Sequence, residues 1–245
     1  MITILQWTTL AVCGLVALAR VPSAVRGENR SLFGIFALMT LAILLSIEAP
    51  YVAIDQALGG INLANLLLRF VIFGAIFFLG IRVAKGFGAT GTYRLITGRP
   101  GILVLLVLSA LVIAVFFLMD TEGSSAGLST VYAKDDRHML LVEYYGAAGR
   151  AYPAFVGVAL IPAMVKAIGS RLPVLVRVAA LLLGVGGAAI GLSLLFPFIP
   201  PDWSAMRFVV NYTAVLCYIV GLALIWVAKV RRRKPLAGTA SFTEK

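Results

Sequence analysis

The chain consists mainly of apolar runs long enough to cross a lipid bilayer. A hydrocarbon core about 30 Å thick is spanned by about 20 helical residues. Of the residues, 61% are hydrophobic and 13% are charged, which is far from the composition of a soluble domain. The runs cover residues 2–19, 32–47, 63–81, 101–119, 141–168, 174–198 and 208–228. The sequence therefore predicts an all-α polytopic membrane protein, a bundle of seven transmembrane helices forming one domain over residues 1–245.

The basic residues fall in alternate gaps between these runs. Most of them lie at or after the ends of the first, third, fifth and seventh runs: Arg20, Arg26, Arg30, Arg82, Lys85, Arg94, Arg99, Lys166, Arg171, Arg177 and the cluster 229–234. Lys134, Arg137 and Arg207 are the clear exceptions. The other gaps hold most of the acidic residues. Because cytoplasmic loops are enriched in lysine and arginine, this pattern predicts a cytoplasmic C-terminus with a short basic tail, 229–245, and an N-terminus outside. We expect the plasma (inner) membrane as the location.

The net charge of +11 does not indicate nucleic-acid binding. The cations lie in short loops beside the membrane, with no domain around them that could read a nucleic acid. Such loops and tails bind anionic lipid headgroups. Membrane lipids are therefore the predicted partners, and a partner membrane protein or a homo-oligomer is left open.

The residues that could suggest a catalytic, metal or cofactor site lack the surrounding sequence that such sites require. Gly86, Gly88 and Gly91 spell a glycine-rich nucleotide motif, but they follow a membrane helix rather than a β-strand. The two cysteines, Cys13 and Cys217, lie inside predicted helices and cannot complete a zinc site. No serine or cysteine has a recognisable base partner. We therefore expect no enzymatic activity, no cofactor and no metal.

Small residues in the sixth run predict a close helix contact. Gly187 and Gly191 are four residues apart and therefore lie on one helical face. This small-xxx-small spacing lets two membrane helices approach closely. It indicates packing and not a binding activity.

Polar residues concentrate in the half of the predicted bundle that faces outside. Asn62, Asn65 and Arg69 recur at i, i+3 and i+7, which places them on one helical face, with Arg69 about 10 Å from the helix start. At the fifth run Asp136, Glu143 and Arg150 recur every seven residues. Tyr144, Tyr145 and Tyr152 lie beside them in the sequence. The complete candidate site is Glu48, Asp55, Asn62, Asn65, Arg69, Glu143, Arg150, Asn211 and Tyr212.

Two interpretations of these polar groups remain open. In the first, nearby acids neutralise Arg69 and Arg150, and the network only fixes helix register. In the second, the groups line an outward-open cavity for a small polar or anionic ligand, or a proton path. We expect Arg69 to face the bundle interior and to contact one of the acids in reach, because an unpaired guanidinium facing acyl chains is costly. These acids are Glu48, Asp55 and Glu143.

Two segments early in the chain carry a resemblance. Residues 49–55, APYVAID, and residues 59–67, GGINLANLL, resemble the corresponding segment of an uncharacterised actinobacterial family of multi-helix integral membrane proteins. The resemblance covers about the first third of the chain. It implies a membrane protein of the transporter or membrane-regulator type and supplies no catalytic residues.

The helix spacing leaves two functions open. The first three and last three runs begin at similar intervals, which permits a 3+1+3 arrangement of the kind found in transporters. The inner halves of most runs are apolar, which disfavours a continuous polar path. We therefore expect a non-enzymatic membrane protein with an outward-facing polar binding or interaction site, and the alternative is a small-molecule transporter.

Overall fold

The computed structural model describes residues 2–27, 30–198 and 204–233. All regular secondary structure in these described residues is helical, and they include no β-strand. This confirms the all-α prediction. The helices are α1 (Ile2–Val25), α2 (Arg30–Leu44), α3 (Glu48–Ala57), α4 (Leu63–Gly86), α5 (Thr90–Thr97), α6 (Arg99–Leu118), α7 (Ser129–Tyr132), α8 (Asp136–Ile168), α9 (Val174–Leu192) and α10 (Ser204–Arg233). Two 3₁₀ helices, Ala126–Leu128 and Ser193–Phe198, precede α7 and follow α9.

Several of these helices suit a membrane by length and composition. Among the described residues four apolar helices are long enough to span it: Leu63–Gly86, Arg99–Leu118, Asp136–Ile168 and Val174–Phe198. A fifth span is present if α2 and α3, which are bent by 92°, are counted together. The described parts of α1 and α10 contain shorter apolar stretches, Leu10–Pro22 and Leu216–Ile225. The described part of the chain thus contains four to five helices that could span a membrane, as expected of a membrane protein.

The long helix α8 lies at the centre of the bundle. It packs against α9, α6 and α4, while α9 packs on α10, and α4 packs on α2. The main hydrophobic core lies between α4 and α8, where Phe73, Tyr145 and Tyr152 are almost completely buried. Any polar group that α4 or α8 directs toward the other helix is therefore removed from lipid and from bulk solvent.

The second predicted run breaks near its end. Helix α2 ends at Leu44, and α3 begins at Glu48 at a steep angle to it. The chain then turns sharply through Gly59, Gly60 and Asn62, whose φ values of 110°, 70° and 59° are all left-handed. This turn brings α3 beside the beginning of α4 and gives that end of the bundle a folded cover.

Helices α8 and α9 approach each other at two glycines. A Cβ atom built on Gly187 would lie 3.0 Å from the carbonyl oxygen of Gly157, which is tighter than most Cβ contacts in proteins. The predicted partner in the motif, Gly191, has only an ordinary contact at 3.7 Å from Val158. The close approach predicted for this helix is therefore present at Gly187, with a glycine of α8 as its counterpart.

Candidate functional site

A buried carboxylate holds the first turn of α4. Asp55 of α3 has no exposed surface. Its Oδ1 accepts a hydrogen bond from the backbone N–H of Ala64 at 2.9 Å, and its Oδ2 accepts from the N–H of Asn62 at 2.9 Å and from the Ser124 hydroxyl at 2.6 Å. A negative charge at a helix N-terminus satisfies free N–H groups and interacts favourably with the helix dipole. Asp55 therefore caps α4 from a neighbouring helix.

The side chain of Asn62 ties three segments together. It is completely buried, and its Nδ2 donates to the carbonyl oxygens of Thr121 and Gly123 at 3.0 and 2.7 Å. Its Oδ1 accepts from the Tyr51 hydroxyl at 2.7 Å and from the N–H of Ser125 at 3.0 Å. These bonds fix the segment after α6 onto α3 and α4. We call the following residues the cap network: Tyr51, Asp55, Asn62, Ser124 and Ser125.

The cap network satisfies its own polar atoms and leaves no acid for Arg69. The two oxygens of Asp55 already accept three hydrogen bonds. Glu48, at the first position of α3, accepts a long bond of 3.5 Å from the N–H of Ala126. Asp55 and Glu48 therefore hold the cover of the bundle in place and do not reach into it.

Arg69 is partly buried and packs against α8. Its Cζ atom is 5.0 Å from the centroid of the Tyr145 ring, a cation–π geometry. Its stem lies on Gly149, where a Cβ atom would be 2.8 Å from Cδ and 2.9 Å from Nε. Only glycine at position 149 leaves this space, so α8 is shaped to receive the guanidinium group.

Four buried polar atoms on α4 and α8 have no hydrogen-bond partner among the described residues. They are Asn65 Oδ1, Arg69 Nε, Tyr145 Oη and Tyr152 Oη. Asn65 is 2% exposed, and both tyrosines are 0% exposed. A buried polar atom without a partner costs about 1–3 kcal/mol, so such atoms are rare in folded proteins and call for an explanation. We call the following residues the arginine site: Asn65, Arg69, Tyr145, Gly149 and Tyr152.

The ion pair expected for Arg69 is not what the structure shows. Within the described part of the chain, the ion pairs closer than 4 Å join Lys134 to Asp120 and His138 to Asp135. The physical reason is that the nearest buried acid is used to cap α4. The face of the Tyr145 ring takes the place of a carboxylate beside the cation, and it supplies weaker compensation than a full negative charge.

Among the remaining predicted residues, Arg150 lies against an aromatic ring of another element. The guanidinium of Arg150 is 5.1 Å from the centroid of the Phe196 ring in the second 3₁₀ helix. Glu143 is partly buried on α8. The backbone of Asn211 and Tyr212 lies in α10, but their side chains are outside the described residues. The predicted set thus separates: Asn65 and Arg69 are together, whereas Asp55 and Asn62 belong to the cap network.

The segment between α6 and α8 is held by a second group of polar contacts. Asp135 caps α8 by accepting a 2.7 Å bond from the N–H of His138, and its Oδ1 also lies 2.8 Å from His138 Nδ1. The Nε2 atom of the same ring accepts from the N–H of Asp120, whose carboxylate pairs with Lys134 at 2.6 Å. The His138 N–H lowers the pKa of Asp135, and the Lys134 hydrogen bond lowers that of Asp120. These contacts fasten the segment to the start of α8.

Two open grooves of the described surface are lined mainly by apolar residues, and neither includes Arg69. One, of about 420 Å³, runs between α6 and α8 and ends at the second 3₁₀ helix. It is lined by Leu111, Val115, Leu141, Tyr144, Ala147, Ala148, Ala151 and Leu194. None of these residues belongs to the arginine site, in which Asn65, Tyr145 and Tyr152 are buried and Arg69 is partly exposed.

Sequence reasoning missed residues whose role depends on their neighbours. Gly149 was not singled out, although Tyr145 and Tyr152 lie four residues before it and three after it, on the same face of α8. That pattern of two aromatic residues around a glycine was the available signal. Tyr51 and Ser124 gave no comparable signal, because they meet Asn62 and Asp55 only through tertiary contacts.

Comparison with known proteins finds no matching family model, no similar curated protein and no similar solved structure. Function is therefore inferred from the geometry of the arginine site and its cover. The site offers one partly exposed cation, two buried phenol hydroxyls and one buried amide oxygen, set in an apolar bundle.

Proposed function

We propose that this chain is a non-enzymatic membrane protein that binds a small polar ligand at the arginine site, which is reached from outside the cell. In this proposal the protein has seven spans, with its N-terminus outside and its C-terminus in the cytoplasm of a cell bounded by the plasma membrane. Anionic lipid headgroups contact the basic loops and tail. The type of family that residues 49–67 resemble, transporters and membrane regulators, is in keeping with such a site.

The observation that carries the proposal is the set of unpartnered buried atoms on α4 and α8. A cation within a membrane protein costs several kcal/mol unless it is paired or hydrated. If these arginine, amide and phenol groups had no partner, the folded protein would be more stable with apolar residues in their place. A ligand that supplies the missing hydrogen bonds accounts for all four atoms together.

The proposed orientation follows from the charges at the two ends of the bundle. The cap network and Asp120, Glu122 and Asp135 lie at the end where α4 begins. The opposite end holds the basic turns between α4 and α6 and between α8 and α9. By the positive-inside rule the basic end is cytoplasmic, which places the cap network outside.

Cysteine labelling tests this orientation. Glu122 and Thr90 are both exposed, at opposite ends of the bundle. In a background with Cys13 and Cys217 replaced by alanine, a membrane-impermeant maleimide should label Glu122→Cys on intact cells. Thr90→Cys should react only after the cells are opened. Labelling of both variants on intact cells, or of Thr90→Cys alone, would contradict the topology.

A transporter is the second candidate, and one feature favours it. The chain breaks between α2 and α3, near Pro50, and changes to a 3₁₀ helix after α9, near Pro197. In a 3+1+3 arrangement these are the middle helices of the first three and of the last three. Interrupted helices in corresponding positions are typical of transporters. However, apolar side chains including Phe73, Val156 and Leu160 fill the bundle on the cytoplasmic side of Arg69. Binding therefore fits the geometry better than passage.

Access to the arginine site from outside can be measured directly. Asn65→Cys, in the same cysteine-free background, should react with a negatively charged methanethiosulfonate reagent on intact cells. Val71→Cys, which is 5% exposed and lies six residues deeper on α4, is the matched control and should not react. The reaction at position 65 should be slow, because the cap network must open for the reagent to enter. Absence of labelling at position 65 over hours, in folded protein, would contradict an outward-facing site.

A further inference from the structure

We infer that the ligand of the arginine site is a small oxyanion that also carries a hydrogen-bond donor, such as a hydroxy acid or an anionic headgroup bearing a hydroxyl. This inference rests on the proposed function and narrows it to one chemical class. It is argued from the charge of Arg69, from the way the guanidinium is held, and from the donors and acceptor around it.

The charge of the site favours an anion. Arginine remains protonated in proteins, so the site is permanently cationic. None of the described acids forms an ion pair with Arg69, and Asp55 is fully used in capping α4. An oxyanion supplies the missing negative charge at the place where the protein supplies only an aromatic ring.

The way Arg69 is held leaves one edge of its guanidinium for a ligand. Tyr145 covers a face of the group at 5.0 Å, and the bare backbone at Gly149 supports its stem. The Nε–H is buried and has no acceptor among the described residues. A guanidinium with a free edge binds planar oxyanions in two places, which lysine cannot do.

The other polar atoms define what the oxyanion must carry. Tyr145 and Tyr152 flank Gly149 on the same face of α8, and their unpartnered hydroxyls can donate to oxyanion oxygens. Asn65 lies one helical turn before Arg69, and its free atom is an oxygen, which can only accept. A bare carboxylate leaves this oxygen unsatisfied, whereas a ligand with a hydroxyl or ammonium group satisfies it.

Thermal unfolding of the whole protein in phosphatidylcholine nanodiscs tests the class of ligand. A ligand that binds only the folded state raises the melting temperature with its concentration. The probes are the sodium salts of lactate, acetate and chloride at constant ionic strength. Lactate should stabilise the protein with saturation, acetate should bind about tenfold more weakly because it lacks the donor for Asn65, and chloride should have no effect.

Two variants connect the effect to the site. Arg69→Lys keeps the charge and loses the planar fork, so the affinity for lactate should fall at least tenfold. Gly149→Ala leaves every polar group in place but pushes the Arg69 stem from its position, and it should weaken binding to a similar degree. Gly184→Ala is the matched control, since its added methyl would lie 3.6 Å from Met164 in ordinary contact, and it should bind lactate like the unaltered protein.

A lipid headgroup could supply the same chemistry, and the lipid composition of the nanodiscs distinguishes the two sources. If phosphatidylglycerol replaces lactate as the stabilising species, and Arg69→Lys removes its effect, the oxyanion is a headgroup phosphate. The inference is overturned if neither species stabilises the protein, or if both variants bind as tightly as Gly184→Ala. If Asn65→Cys is labelled from outside but neither species stabilises the protein, the site is accessible and binds a different class of ligand. The proposed function and the proposed ligand class can therefore be refuted independently.

Discussion

Replacing Asn62 should loosen the cover of the bundle in two separable ways. Its side chain makes four hydrogen bonds, and its backbone has a left-handed φ of 59°. Asn62→Gly removes the bonds but tolerates the left-handed backbone. Asn62→Ala removes the same bonds and also introduces a side chain that resists this conformation. The pair therefore separates the contribution of the hydrogen bonds from that of the backbone.

The magnitude follows from the bonds that are lost. A buried hydrogen bond contributes about 1 kcal/mol net, so Asn62→Gly should lower the free energy of unfolding by about 3–4 kcal/mol. Placing alanine in the left-handed region costs about 1 kcal/mol more, so Asn62→Ala should be the less stable variant by that amount. Among the partners, the Tyr51 hydroxyl loses its buried acceptor in both variants.

Unfolding by sodium dodecyl sulfate in mixed micelles, followed by circular dichroism, measures these differences. A loss below about 1 kcal/mol in Asn62→Gly would show that the cap network does not hold the folded state. Equal stabilities of the glycine and alanine variants would contradict the left-handed conformation at position 62. Either result would refute the assignment of Asn62 as the residue that joins α3, α4 and the segment after α6.

Two further predictions concern other parts of the chain. Gly187→Ala places a methyl group 3.0 Å from the Gly157 carbonyl oxygen, and overpacking of about 1–3 kcal/mol should exceed the gain of up to about 1 kcal/mol in helix propensity. Its melting temperature in detergent should fall, while that of Gly184→Ala should not. The carboxylates of Asp120 and Asp135 have lowered pKa values in the folded state, so their stabilisation is present above about pH 4 and is lost as the pH falls through the folded values. The melting temperature should therefore fall more steeply between about pH 5 and pH 3 in the unaltered protein than in Asp135→Asn.

The helices were predictable because long apolar runs leave a chain in lipid few alternatives to helix. The beginning of α8 was predicted five residues too late, since polar residues from Asp136 onward do not resemble a membrane span. They are helical because Asp135 caps the first turn. Helix α3 was also missed, because the predicted run ended at residue 47 and the following segment, which contains Glu48 and Asp55, does not have the composition of a membrane span.

The candidate site was predicted in part. The helical spacing of Asn65 and Arg69 identified the face of α4 that meets α8, and the depth of Arg69 marked it as a residue that must point inward. Asn62 has the same spacing in the sequence. However, its backbone is left-handed and α4 begins only at the next residue, so its side chain belongs to the cap network. The capping role of Asp55 depends on where α3 folds back, which local sequence patterns do not encode.

A cryo-electron microscopy structure of the whole protein in phosphatidylcholine nanodiscs with saturating lactate tests the central claim most directly. We predict density that is not protein within about 3 Å of the Arg69 guanidinium and the Tyr145 hydroxyl, beneath an intact cap network. A map in which Arg69 is paired with a carboxylate of the protein, or in which no ligand density adjoins it, would contradict the claim that this bundle is a binding protein built around that arginine.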